Sequence, residues 1–266
     1  MLYLDIPYGE HQRHRLDLSL PDGRTGTLGL ILYIHGGAWI GGDKDCYRVE
    51  LERRNAQGYA AASINYRYVS REVDLDGEAD DIAAAAVKIK SFAAEKGVNL
   101  EKALLTGHSA GGHLSLFYAY SRARSSAIEP AAVAAFCGPV DLSTRDFYEK
   151  GVQGHTPELC DLFTSCTGRQ ITTENFFAPE LQKRLREVSP VDFISPATPP
   201  TVIAHGEIDD IVPFSQAAEL DALLSRCGVT HELVSYPHSG HELGRDPDAA
   251  ARAEELLCEY AGKYLS

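Results

Sequence analysis

Ala103-Leu-Leu-Thr-Gly-His-Ser-Ala-Gly-Gly-His113 is the stretch on which the reading of this chain turns. Its first four residues form a short apolar segment, and the next five fit Gly-x-Ser-x-Gly. Gly112-His-Leu-Ser-Leu-Phe-Tyr118 then reads as the start of a helix. The five-residue pattern alone is common by chance. Between a buried strand and a helix it gains a physical meaning: a serine on a turn too sharp for bulky neighbours, with its Oγ raised above a sheet. Ser109 is therefore the candidate nucleophile.

Upstream, Leu28 to Ile34 is a near-continuous apolar run, as expected of a strand covered on both faces. It leads into His35-Gly-Gly-Ala-Trp39. Glycines let main-chain amides approach a developing oxyanion, and an earlier strand end is where the second donor of such a hole belongs. Downstream, Pro200 to Ala204 is apolar and runs into His205-Gly-Glu-Ile-Asp-Asp210. A loop at the carboxyl end of a parallel strand suits an acid that must orient a histidine. Asp209 is the better candidate, a solvated or helix N-terminal charge being the plainer role for Asp210. After the last apolar segment comes Pro237-His-Ser-Gly-His-Glu242. His241 is favoured over His238 as general base, because the turn at Gly240 leaves it free to point back over the sheet. The order Ser109, Asp209, His241 is that of the α/β-hydrolases.

The rest of the chain alternates in the same rhythm. Strands are expected at Leu16–Pro21, Ala60–Ile64, Ala131–Cys137 and Glu232–Ser235, with helices at Tyr47–Gln57, Asp80–Ala94, Phe214–Arg226 and Pro247–Tyr264. Apolar strands alternating with helices give an α/β class with one parallel sheet covered on both faces. Residues 1–266 read as a single domain. Gly138–Pro200 breaks the rhythm with scattered aromatics and reads as a helical insertion.

Composition narrows the partners. A net charge of −13 offers no basic surface for nucleic acid. No signal-peptide pattern and no apolar run of about 20 residues appears, so a cytoplasmic, membrane-free protein is expected. The six cysteines are scattered and are expected to be thiols. No nucleotide motif or metal-ligand spacing is present, so no cofactor or metal is expected. For His108, His113 and His205, packing or hydrogen bonding is the plainer role.

With these residues in place, the chain resembles the esterase/lipase branch of the α/β-hydrolases, especially small bacterial carboxylesterases of the hormone-sensitive-lipase group. Tyr8-Gly9, Leu16–Pro21, His35–Trp39, Asn65-Tyr-Arg67, Gly107–His113, His205–Pro213 and His241 carry the likeness over nearly the whole chain. The resemblance implies a mostly parallel eight-stranded sheet, with Gly138–Pro200 as a cap. It also implies Ser109, Asp209 and His241 as the triad, and the amides of Gly37, Ala38 and Ala110 as the oxyanion hole. Lipases often carry His-Gly-Gly-Gly, and here the fourth residue is Ala38, whose N–H is still available. His-Gly-Gly-x-Trp also resembles the kynurenine formamidases.

The expected activity is hydrolysis of a small carboxylic ester through an acyl-enzyme, with Trp39 and His108 as substrate contacts. Aryl formamide hydrolysis is the alternative, favoured by Trp39 and the aromatic insertion. A scaffold that only binds a ligand is the third reading. The oligomeric state stays open, a homodimer among the options.

Overall fold

The computed structural model describes residues 1–266. Eight strands form one sheet: β1 (Leu2–Pro7), β2 (Arg15–Ser19), β3 (Gly26–Ile34), β4 (Ala60–Ile64), β5 (Val98–His108), β6 (Glu129–Phe136), β7 (Thr201–Gly206) and β8 (His231–Tyr236). Their spatial order is β1-β2-β4-β3-β5-β6-β7-β8, antiparallel across β1–β2 and β2–β4 and parallel from β4 onward. This is the mostly parallel eight-stranded sheet that the resemblance implies. The strand at Leu2–Pro7 is not visible in the sequence pattern. It pairs at the sheet edge, its register shifts between Tyr3 and Ile6, and Asp5 lies at φ +54°. A bulged strand on an edge shows no clean alternation of apolar and polar residues.

The period-2 geometry of β3 explains why its sequence is apolar throughout. Leu30, Leu32 and Ile34 enter the core on one face, and Ile31 and Tyr33 the core on the other. Each such side chain stabilises the fold by about 1.5–3 kcal/mol relative to exposure. The helices α2 (Leu75–Glu95), α3 (Ala110–Arg122) and α7 (Ser215–Arg226) cover the first face, and α1 (Arg48–Ala56) and α8 (Pro247–Tyr264) the second. On the second face, Arg54 joins α1 to α8. Although only 2% exposed, it forms a bidentate pair with Glu254 (2.6 and 2.7 Å) and donates to the Tyr33 hydroxyl at 2.8 Å.

Helix α2 starts five residues earlier than the periodicity predicts. Asp74 caps it by accepting from the Gly77 N–H, so its acidic first turn is helical and not loop. Between β6 and β7 the chain forms α4 (Arg145–Lys150), α5 (Thr156–Thr167) and α6 (Pro179–Glu187). Arg184 of α6 binds Asp74, the cap of α2, and Asp76 in its first turn at 2.9 and 3.0 Å. The backbone N–H groups of Val152 and Gln153 donate to the carbonyls of Ile211 and Asp210. No helix is long and apolar enough to cross a membrane.

Candidate active site

Ser109 sits between β5 and α3 with φ +57° and ψ −122°, a region that non-glycine residues rarely occupy. Its N–H is held by the Phe136 carbonyl at 2.8 Å, and its side chain makes no hydrogen bond to the helix it begins. The small neighbours have a steric cause. A Cβ at Gly107 or Gly111 would lie 2.3 or 2.0 Å from the Ile34 carbonyl oxygen. Only a bare backbone lets the turn press against the end of β3.

That contact also brings in the loop after β3. A Cβ at Gly36 would stand 3.4 Å from Ser109 Cβ. Gly37, Ala38 and Trp39 all have positive φ, at +115°, +51° and +60°. The loop is braced from behind by Arg13, which donates to the Tyr66 and Gly42 carbonyls and to His35 Nε2. His35 donates through Nδ1 to the Gly36 carbonyl, and burial lowers its pKa to about 4, so the ring stays neutral. The N–H groups of Gly37, Ala38 and Ala110 donate to no acceptor in the protein. Ala110 is 1% exposed, and a buried amide without a partner is uncommon.

Asp209 and His241 meet as the sequence suggests. His241 Nδ1 donates to Asp209 Oδ2 at 2.8 Å, while Oδ1 accepts from the Ile211 and Val212 N–H groups at 2.9 and 2.8 Å. Burial pushes the Asp209 carboxyl up. Hydrogen bonds from His205 and His241, the charge of His241 and the Val212 amide outweigh it, holding Asp209 well below the usual carboxylate range. Asp210 is exposed. The rival His238 is 78% exposed and turned away to Asp246 at 2.8 Å.

His241 is tied to the Ser109 turn through His108. His108 Nε2 donates to the His241 carbonyl at 2.7 Å, and the two rings lie 4.7 Å apart. His108, which the sequence suggested as a substrate contact, fixes the backbone of the His241 loop through this donor. Burial lowers its pKa against that hydrogen bond, so the ring is neutral. Behind the pair, Cys137 is fully buried at φ +48°, and burial pushes its thiol up, which keeps it protonated.

Trp39 corrects an expectation. It is 3% exposed, and its indole N–H donates to His113 Nδ1 at 3.2 Å. His113 passes a proton-bearing Nε2 to the Val188 carbonyl at 2.9 Å. Trp39 therefore packs the loop onto α3 and offers a substrate no open ring face. The aromatics of the insertion behave alike: Phe147, Phe163 and Phe176 are buried on one another, and Phe177 is 41% exposed. The two features that favoured a flat aryl formamide are thus mostly core.

Sequence reasoning missed Arg13, and also Asp246, which organises the loop before α8 by accepting from His238 and from Ser239 Oγ. It gave His113 no partner, because Trp39 and Val188 lie far from it along the chain and the pairing appears only on folding.

The BD-FAE family model matches residues 16–224. A probable carboxylic ester hydrolase of Mycobacterium tuberculosis, LipM, is 31% identical over 96% of this chain and 60% of its own length. Esterase LipQ of the same organism is 25% identical over 98% of this chain and 61% of its own. The chain thus spans about three fifths of the length of these curated relatives. Among solved structures, a truncated carbohydrate esterase from gut microbiota superposes with TM-score 0.79 at 22% identity, covering 99% of this chain and 97% of that one. Esterase B from Lactobacillus rhamnosis gives 0.76 at 22%, over 98% and 85% of the two chains. These likenesses carry the fold.

Proposed function

Since the chain belongs to the BD-FAE family within the α/β-hydrolases, we propose that it hydrolyses a small carboxylic ester with Ser109 as nucleophile, His241 as general base and Asp209 as the orienting acid. The observation that carries this reading is the 2.8 Å pair of His241 Nδ1 and buried Asp209 Oδ2, held against the strained Ser109 turn by His108. With its Nδ1–H donated in a hydrogen bond to Asp209, His241 presents a bare Nε2 that can take the Ser109 proton. The alkoxide attacks the carbonyl carbon, and the amides of Gly37, Ala38 and Ala110 receive the oxyanion. Fixed donors need no reorganisation as the charge develops, which is why they lower the barrier. The alcohol leaves with a proton from His241, and water, activated by the same ring, frees the acid.

The insertion Gly138–Pro200 acts in this reading as a cap on a single catalytic domain. Its backbone bonds to Asp210 and Ile211 support that role. The esterase names of LipM and LipQ support the ester as substrate class.

The test is a hydrolysis panel of p-nitrophenyl acetate, butyrate and octanoate beside N-formyl aniline, with wild type and Ser109→Ala. The expected result is turnover of the short esters and a loss of at least about 10³-fold in kcat in the variant. Near-wild-type turnover by Ser109→Ala would exclude the mechanism, and a preference for the formamide would exclude the substrate class. A fluorophosphonate probe should label wild type and not the variant; a folded wild type that stays unlabelled would mean a ligand-binding scaffold.

A further inference from the structure

The two oxygens of Asp209 are held differently. Oδ1 is fixed by the backbone amides of Ile211 and Val212. Oδ2 is shared by two imidazoles, His241 through Nδ1 at 2.8 Å and His205 through Nε2 at 3.3 Å. His205 is 1% exposed and lies at the end of β7, four residues before Asp209. Its Nε2 also stands 2.8 Å from the Val212 carbonyl oxygen. A carbonyl oxygen can only accept, so Nε2 bears a proton; its N–H is directed at the Val212 carbonyl, and Asp209 Oδ2 lies 3.3 Å from the same nitrogen, within the field of that N–H.

We propose that His205 is a positioning residue for the acid of the triad: it pins Oδ2 toward His241 and draws off part of its charge. This rests on the triad reading given above. The surroundings leave His205 few other partners. Phe214 packs edge-on against its ring at 5.9 Å, and the Cys137 thiol, kept neutral by burial, lies with His205 and Asp209 in one tight cluster. Around His241 the other titratable groups are His108, Cys137 and the neighbouring Glu242. Asp209 is the one carboxylate hydrogen-bonded to His241, so its charge decides how firmly that ring keeps a second proton.

The sign follows. Without the His205 donor, Oδ2 turns more of its charge on His241, the imidazolium is held to higher pH, and the free base appears later. His205 is buried beneath the site, so substrate affinity is untouched.

The experiment compares kcat and KM from pH 5 to 9 for wild type, His205→Phe and His205→Gln, with thermal unfolding of each. Phe keeps the ring and removes the donor; Gln places an N–H near the position of Nε2. The expected result for His205→Phe is a kcat about tenfold lower, KM within about twofold, and an acidic limb of kcat/KM moved up by roughly half a unit or more. His205→Gln should bring the limb back toward wild type. A folded His205→Phe in which neither the limb nor the nitrogen-15 titration of His241 moves overturns the proposal, as does a His205→Gln indistinguishable from Phe. His205→Asn, too short to reach Oδ2, serves as the donor-free variant if Phe does not fold. Nitrogen-15 titration of His241 in a Ser109→Ala background reads the same proton without turnover. An upward shift there on losing His205 supports the proposal even where the pH limb of hydrolysis proves to have another origin.

Discussion

Changing Asp209 to Asn exchanges one carboxylate oxygen for an NH₂ group and leaves the side chain the same size. The backbone amides on Oδ1 cannot rotate away, so the Asn oxygen must face them and its NH₂ must face His241 and His205. An NH₂ group accepts nothing. His241 can escape the clash only by moving its proton to Nε2, the atom that must receive the serine proton in the proposed mechanism. Wrong-tautomer substitutions of this kind in serine triads lower kcat by about 10⁴, or roughly 5.5 kcal/mol of barrier. The Asp209 side chain is fully buried, so KM should stay within a few-fold. The assay is initial-rate hydrolysis of a short aryl ester at pH 7.5, with circular dichroism to establish folding. The neighbouring Asp210→Asn is the control, because that side chain is exposed and should change kcat by less than about twofold. A folded Asp209→Asn within tenfold of wild type would refute the reasoning, and so would a larger loss in the Asp210 variant.

Acid stability offers a second check. Burial holds His35 and His113 at about 4, below the unfolded value of 6.5, so the unfolded chain binds more protons between those limits. Their contribution is complete above about pH 6.5 and is lost as pH falls toward 4, at up to roughly 3 kcal/mol each. The urea midpoint should therefore drop clearly from pH 7 to pH 4.5, and an unchanged midpoint would contradict it. On the other face, Glu254→Gln leaves the buried Arg54 guanidinium with a neutral partner. Glu254 is 38% exposed, so the cost is trimmed to about 1–2 kcal/mol, a fall of a few degrees in Tm. Wild-type Tm in this variant would show that the pair is idle.

The sheet was legible wherever burial on both faces forced unbroken apolar runs, and β4 falls on the residues the pattern marks. It was illegible at β1, where a bulge and an edge position remove the pattern. The start of α2 was hidden because Asp74, Asp76 and Glu78 look solvated, yet Asp74 is a cap and Glu78 is fully buried. At the site, the choices of His241 over His238 and of Asp209 over Asp210 agree with where the structure puts each side chain. The preference for His241 rested on turn geometry, which is local. The partners of Trp39 and His108, His113 and the His241 carbonyl, were not legible because only packing between loops distant in sequence brings them together.

The ties between the insertion and the acid loop bear on how this chain can be re-engineered. Val152 and Gln153 both sit at positive φ, and their N–H groups bond the backbone of Ile211 and Asp210. The insertion and the loop that carries Asp209 are thus sewn together through main chain. A chimera that borrows another protein's insertion keeps the aspartate loop in register only if its splice points leave 151–154 in place or import both halves of the seam together.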